Sequence, residues 1–153
     1  MACRLEALDA DAKVLMENTK NFYAMVSPDG TRIAVPMRGE TKVLEAKTGE
    51  KLFSIPMAGQ PGGFAGWSPD GNWLVIGGVD QADLGAWLVD LKQKKTHPLA
   101  AGSFTMPAFS PKGDWLAMDL RERARREIWV FPRAWIEARL KEQVPILTLP
   151  KSP

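Results

Sequence analysis

The densest chemistry in the chain is Arg121-Glu122-Arg123-Ala124-Arg125-Arg126, four guanidiniums and one carboxylate in six residues. Guanidiniums grip carboxylate or phosphate in a two-point fork, so the run suits an anionic partner. It suits equally a solvated loop with local pairing to Glu, and exposed pairs of that kind add little stability. Asp80, Asp83, Asp119 and Glu122 are the acids best placed to work together. Glycoside hydrolysis needs two carboxylates at a fixed separation with unequal pKa values, which spacing along the chain does not supply. Loop acids ordinarily cap or solvate, and Asp80 and Asp83 lack the alternating acids of a calcium loop.

Other reactive types are sparse. His97 is the single histidine, no Gly-x-Ser-x-Gly elbow accompanies it, and a surface role is the simplest reading. Gly62-Gly63 and Gly77-Gly78 are not followed by the Lys-Ser or Lys-Thr of a phosphate loop. Cys3 is the only cysteine, which excludes an intrachain disulfide and a thiolate zinc site within one chain. No metal or cofactor is expected. The chain has 153 residues, 45% hydrophobic and 25% charged, enough for one globular domain with a substantial core. A net charge of +2, with no broad basic stripe, gives no reason to expect nucleic acid. No run approaches the ~20 apolar residues of a membrane span. The first residues, MACRLEALDADAK, lack a signal-peptide core, so a soluble chain, cytoplasmic by default, is expected.

The elements that must hold these residues are set by a repeat. Ser27-Pro28-Asp29-Gly30, Ser68-Pro69-Asp70-Gly71 and Ser110-Pro111-Lys112-Gly113 stand 41 and 42 residues apart. Pro at the second position and Gly at the fourth fit a tight hairpin turn. Short apolar runs flank each turn: Phe22 to Val26 and Arg32 to Val35, Gly63 to Trp67 and Trp73 to Ile76, Phe104 to Phe109 and Trp115 to Met118. Further strand-like runs follow at Lys42 to Ala46, Lys51 to Ile55, Ala86 to Leu91, Thr96 to Leu99 and Ile128 to Phe131, with a loop expected over 119–127. After Pro132 the period changes. Arg133 to Gln143 reads as a helix, with Ile136, Leu140 and Val144 four residues apart. The segment 145–150 is expected to be a last edge strand or an extended tail between its prolines.

An apolar residue, Ser-Pro-Asp-Gly, then Ile or Leu and Ala or Val, with a later strand such as AWLVDL or EIWVFP, resembles the TolB-like β-propeller repeat, a relative of the WD repeat. The resemblance spans about 13–131. It implies an all-β fold of three four-stranded antiparallel blades, about 20–56, 63–99 and 104–131, with a short helix and tail over 132–153. Residues 1–12 are then an arm or the end of a preceding blade, and 13–17 a candidate sealing strand. In such a fold the loops between second and third strands share one rim with the blade-to-blade connectors. This puts Arg38, Glu40, Asp80, Asp83, Arg121, Arg123, Arg125 and Arg126 on a candidate binding face. Trp67, Trp73, Trp87, Trp115 and Trp129 fall at repeated strand positions and are expected in the core, leaving Trp135 for an interface. Closed propellers use 4 to 8 blades, so three leave wide apolar faces in water. Two completions follow: a homodimer closing a six-bladed ring, or missing blades of a longer chain. The implied function is non-catalytic protein binding or scaffolding. The alternatives are an accessory domain of a hydrolase or sensor, and a carbohydrate or small-ligand site.

Overall fold

In a computed structural model, residues 24–37, 39–56, 63–78, 85–122 and 125–148 are described. They form three antiparallel sheets in chain order. The first holds β1 (Met25–Val26), β2 (Arg32–Met37), β3 (Glu40–Glu45) and β4 (Lys51–Pro56). The second holds β5 (Gly63–Trp67), β6 (Trp73–Gly78), β7 (Ala86–Asp90) and β8 (Lys95–Ala100). The third holds β9 (Phe104–Phe109), β10 (Trp115–Glu122) and β11 (Arg125–Pro132), followed by α1 (Arg133–Leu140). The all-β blades and C-terminal helix are as expected. The third blade differs in having three strands among the described residues. The arm at 1–12 and the sealing strand at 13–17 lie outside those residues.

The Ser-Pro turns build each blade's first hairpin. Gly30 N–H donates to Ser27 O at 2.8 Å, and Arg32 N–H donates to Ser27 Oγ at 2.9 Å. Ser27 Oγ donates in turn to Asp29 Oδ1 at 2.6 Å, which also accepts from Thr31 N–H at 3.0 Å. Ser68 and Asp70 repeat the arrangement at 2.6 Å, with Asn72 N–H in the place of Thr31. The third turn closes through Gly113 N–H to Ser110 O at 2.8 Å, but Lys112 offers Ser110 no carboxylate. Hydrogen bonds from Ser27 and Thr31 hold Asp29 at about 2. Partial burial pushes Asp70 up, yet hydrogen bonds from Ser68, Asn72 and Arg133 outweigh it and leave it at about 2.

Strand alternation gives each sheet a rear face toward the sheet before it and a forward face toward the sheet after it. Arg32, Trp73 and Trp115 point forward; Ile33, Leu74 and Leu116 point to the rear. Ala34, Val43 and Ile55 of the first sheet pack on Ala65, Trp67, Leu74, Ile76 and Val89 of the second. Trp73, Val75, Leu88 and Leu99 of the second pack on Phe104, Leu116, Met118, Leu120 and Phe131 of the third. Backbones come close at this second seam, where a Cβ on Gly66 would lie 2.5 Å from Pro107 O and one on Gly77 would collide with Phe104 O.

Two arginines seal the turn end of the seams. Arg32 lies 5.0 Å over the Trp67 ring and donates to Gly71 O at 2.9 Å, while Trp67 Nε1 donates to Met25 O at 2.9 Å. Arg133, the first residue of α1, lies 4.5 Å over Trp73 and bonds Glu137 at 2.9 Å and Asp70 at 3.3 Å. Its backbone N–H donates to Asp114 O at 2.8 Å. Each cation over an aromatic face contributes about 0.5–2 kcal/mol.

Three sequence expectations are corrected. The loop over 119–127 is mostly strand: β10 and β11 pair from Trp115↔Pro132 to Glu122↔Arg125, because Leu120 continues the buried alternation of Leu116 and Met118. The helix stops at Leu140, before Gln143, where Glu142 turns left-handed at φ 57°. Trp115 is 51% exposed and so leaves the core set, because no described sheet covers the third forward face. The tail makes a single parallel bridge, Leu147 to Ala100, on the outer edge of β8, with Ala101 N–H donating to Leu147 O at 2.8 Å.

Two outcomes follow from this packing. Gly66→Ala is expected to cost about 2–3 kcal/mol in urea denaturation, since the obstacle is backbone and cannot swing away. The turn aspartates have folded pKa values below their ordinary ~3.9, so their stabilisation is complete above about pH 4 and fades as pH falls towards 2. Lys112→Asp is expected to add about 0.5 kcal/mol at pH 6 and nothing at pH 2, measured by thermal melts at both.

Candidate functional site

The candidate rim residues reach the described structure in part. Glu40, Arg121, Arg125 and Arg126 are placed, whereas Arg38, Asp80, Asp83 and Arg123 lie outside the described residues. Glu40 opens β3 on the first sheet, where its Oε1 meets Lys42 Nζ at 3.6 Å. The arginines belong to the far end of the β10–β11 hairpin on the third sheet, with Arg121 opposite Arg126 and Glu122 opposite Arg125.

Alternation divides the basic cluster between two faces. Arg125 points to the rear with Glu127 and Trp129. Arg125 Nε donates to Glu127 Oε1 at 2.6 Å, and Trp129 Nε1 donates to Glu127 Oε2 at 2.8 Å. Those two hydrogen bonds, Arg125 first, hold the Glu127 carboxyl below its ordinary range. The indole links this row to the core, since Trp129 packs edge-on to Phe104 at 6.3 Å. Arg125 is thus a structural neighbour of the second seam as much as a surface charge.

Arg121 and Arg126 point forward together. Arg121 Nη2 sits 3.4 Å from Asp119 Oδ2, a loose and exposed pair. Arg126 is exposed and has no ionic partner among the described residues. Two like charges directly across a strand pair cost stability, so the structure holds them there at a small loss. With Asp119, Leu120, Glu127 and Ile128 they line a shallow cleft of about 210 Å³. This cleft can take an anionic group by charge, and both of its carboxylates are already engaged, Asp119 by Arg121 and Glu127 by Arg125 and Trp129.

The forward face also carries a feature that residue-type reasoning passed over. Val130 and Ile128 are 53% and 74% exposed, beside exposed Trp115. The signal is in the sequence Glu127-Ile128-Trp129-Val130-Phe131, whose apolar residues occupy both faces of one strand. A strand apolar on both sides is built to be covered on both. His97 is half-buried on β8 opposite Leu88, away from this face. Among the described residues, no group of three or more His, Cys, Asp or Glu could hold a metal ion, and no helix is long and apolar enough to cross a membrane.

Comparison with solved structures supports the architecture. A hydrazine synthase of Kuenenia stuttgartiensis matches at a TM-score of 0.64 and 17% identity, covering 84% of this chain and 36% of that one. TolB of Acinetobacter baumannii matches at 0.57 and 18% identity, covering 72% of this chain and 29% of that one. The fold is propeller-like. This chain spans about a third of the length of either neighbour. No protein-family model matches the chain, and no curated protein matches it.

The like-charged pair yields an expected outcome. Replacing one arginine, Arg126→Thr, should leave the stability of the single chain unchanged or raise it by about 0.5 kcal/mol in urea denaturation at a protein concentration too low for self-association. A loss above about 1 kcal/mol would mean that Arg126 serves the fold itself.

Proposed function

We propose that this chain is a non-catalytic protein-binding or scaffold module made of propeller blades, closed into a six-bladed ring by a second copy of itself. The observation that carries the reading is the forward face of the third sheet, where Trp115, Ile128 and Val130 stand exposed at positions of the kind that the earlier sheets bury. Apolar faces of that breadth usually mark an interaction surface. On a closed ring, Glu40, Arg121, Arg126 and the remaining rim residues Arg38, Asp80, Asp83, Arg123 and Arg125 would face a protein partner from one side.

A second reading has its own support. The chain covers only 36% of the hydrazine synthase chain and 29% of the TolB chain, which fits blades of a longer propeller serving a hydrolase or sensor as an accessory domain. A carbohydrate or small-ligand site at the ring centre has no observation of comparable weight behind it. Sedimentation over a wide concentration range separates the first two. A discrete dimer is expected for the ring-closing reading, and a monomer at every concentration would sink it. A hydrolase screen of the same preparation should give no turnover; reproducible turnover would overturn the non-catalytic assignment.

A further inference from the structure

The first two sheets each have an outer strand that the third lacks among the described residues. β4 and β8 lie antiparallel outside β3 and β7, so that Val43 faces Phe53 and Leu88 faces His97. No described strand lies outside β11, which at eight residues is longer than the six of β4 or of β8. The helix α1 leaves it at Pro132 and reaches β8, where Arg139 donates to Pro98 O. The ladder shows which backbone groups of β11 turn to the open side. Arg133 N–H donates to Asp114 O, and Arg121 N–H donates the other way, to Ser103 O. Bonded pairs alternate along an antiparallel ladder, and the register from Trp115↔Pro132 to Glu122↔Arg125 has no shift. Phe131, Trp129, Glu127 and Arg125 therefore bond β10, while the N–H and C=O groups of Arg126, Ile128 and Val130 point outward. The same three residues carry exposed side chains on the forward face.

A long outer strand is a template for another strand, and its side chains state what that strand must carry. Ile128 and Val130, 74% and 53% exposed, call for apolar neighbours. Arg126, repelled by Arg121 across the hairpin, calls for an acid. The β11 of a second copy does not supply one, because its forward residues are Arg126, Ile128, Val130 and Pro132. The apolar run at 13–17 fits no better, since a register that sets Glu17 beside Arg126 sets Lys13 beside Val130. We propose that the outer edge of β11 takes up an extended segment of a partner protein as a fourth, antiparallel strand, with alternate apolar residues beside Val130 and Ile128 and an acidic residue beside Arg126. Read from its own N-terminus, that segment is apolar-x-apolar-x-acid. Each of the three outward residues then exchanges both backbone hydrogen bonds with the residue opposite, and Pro132, with no N–H, ends the ladder. The inference rests on the protein-binding part of the reading above and names the partner's chemistry. It does not depend on ring closure, because the seams between sheets use the faces and leave this edge open.

The probe is a fluorescein-labelled Val-Thr-Val-Thr-Glu amide, titrated with the full chain by fluorescence anisotropy at low salt. Saturable binding is expected. Methylating the backbone nitrogen of the central valine, which faces Ile128, should weaken it about tenfold or more, whereas methylating that of the second threonine, which faces away, should change it less than about twofold. Arg126→Glu also relieves the repulsion with Arg121, and should weaken binding about tenfold, with lysine in place of the probe's glutamate restoring it. Ile128→Pro removes one outward N–H and should abolish binding with the circular dichroism spectrum unchanged. No saturable binding, or equal losses from the two methylated probes, would overturn the inference. Binding seen only with Leu15→Asp would put the chain's own N-terminal segment on the edge, and a dimer that the probe dissociates would put a second copy there; either result overturns it too. Sedimentation of the same preparations judges ring closure separately. A dimer that ignores the probe leaves that reading standing, and a monomer that binds it removes ring closure alone.

Discussion

A blade is a sheet with two apolar faces, and the whole structure depends on covering both. Helices or a solvated polar face can relieve this in other folds, but here the alternating residues of β2, β6 and β10 near the turns are apolar in both directions apart from Arg32. The consequence is stacking. Ala34 and Val43 need the second sheet, Val75 and Leu88 need the third, and the backbone approach at Gly66 and Gly77 shows how close that contact becomes. Stability in such an array is a sum of sheets and seams, so an uncovered face is a property of the whole stack and not only of the sheet that carries it.

The seams are closed by more than apolar contact. Tryptophan brings a large surface and one N–H, and each buried indole at the turn end has a cation over its ring. Arg32 supplies that cation from within the repeat, reaching from one blade's turn to the next. Arg133 supplies it from outside, because the second blade has Trp73 itself where the first has Arg32. The helix thus performs for Trp73 a task that a repeat residue performs for Trp67. Further along, Arg139 donates to Pro98 O at 3.0 Å and Leu147 bridges Ala100, so the C-terminal segment holds the outer edge of the second sheet as well.

Much of the fold was legible because the turns use local chemistry. Ser, Pro, Asp and Gly specify a hairpin without help from distant residues, and their spacing counts the blades. What was not legible depended on contacts across the stack. The tryptophans look alike in sequence, yet Trp67 and Trp73 are buried and Trp115 is exposed, because burial is decided by the neighbouring sheet. The basic cluster reads as one feature along the chain and divides on folding, since a strand sends Arg125 and Arg126 to opposite faces. Leu120 carried the clue that the expected loop was strand, but charged neighbours on both sides obscured its alternation. Nothing in the repeat pattern foretold Arg133, because it belongs to no repeat.

The role of Arg133 also bears on the order in which the molecule matures. The turn that holds Asp70, the ring of Trp73 and the carbonyl of Asp114 are all synthesised before the residue that ties them together. During translation the second and third sheets can form and stack while their outer seam is still unfastened, and the helix secures it only after it leaves the ribosome. The seam between the second and third sheets is thus the one that is fastened last in the order of the chain.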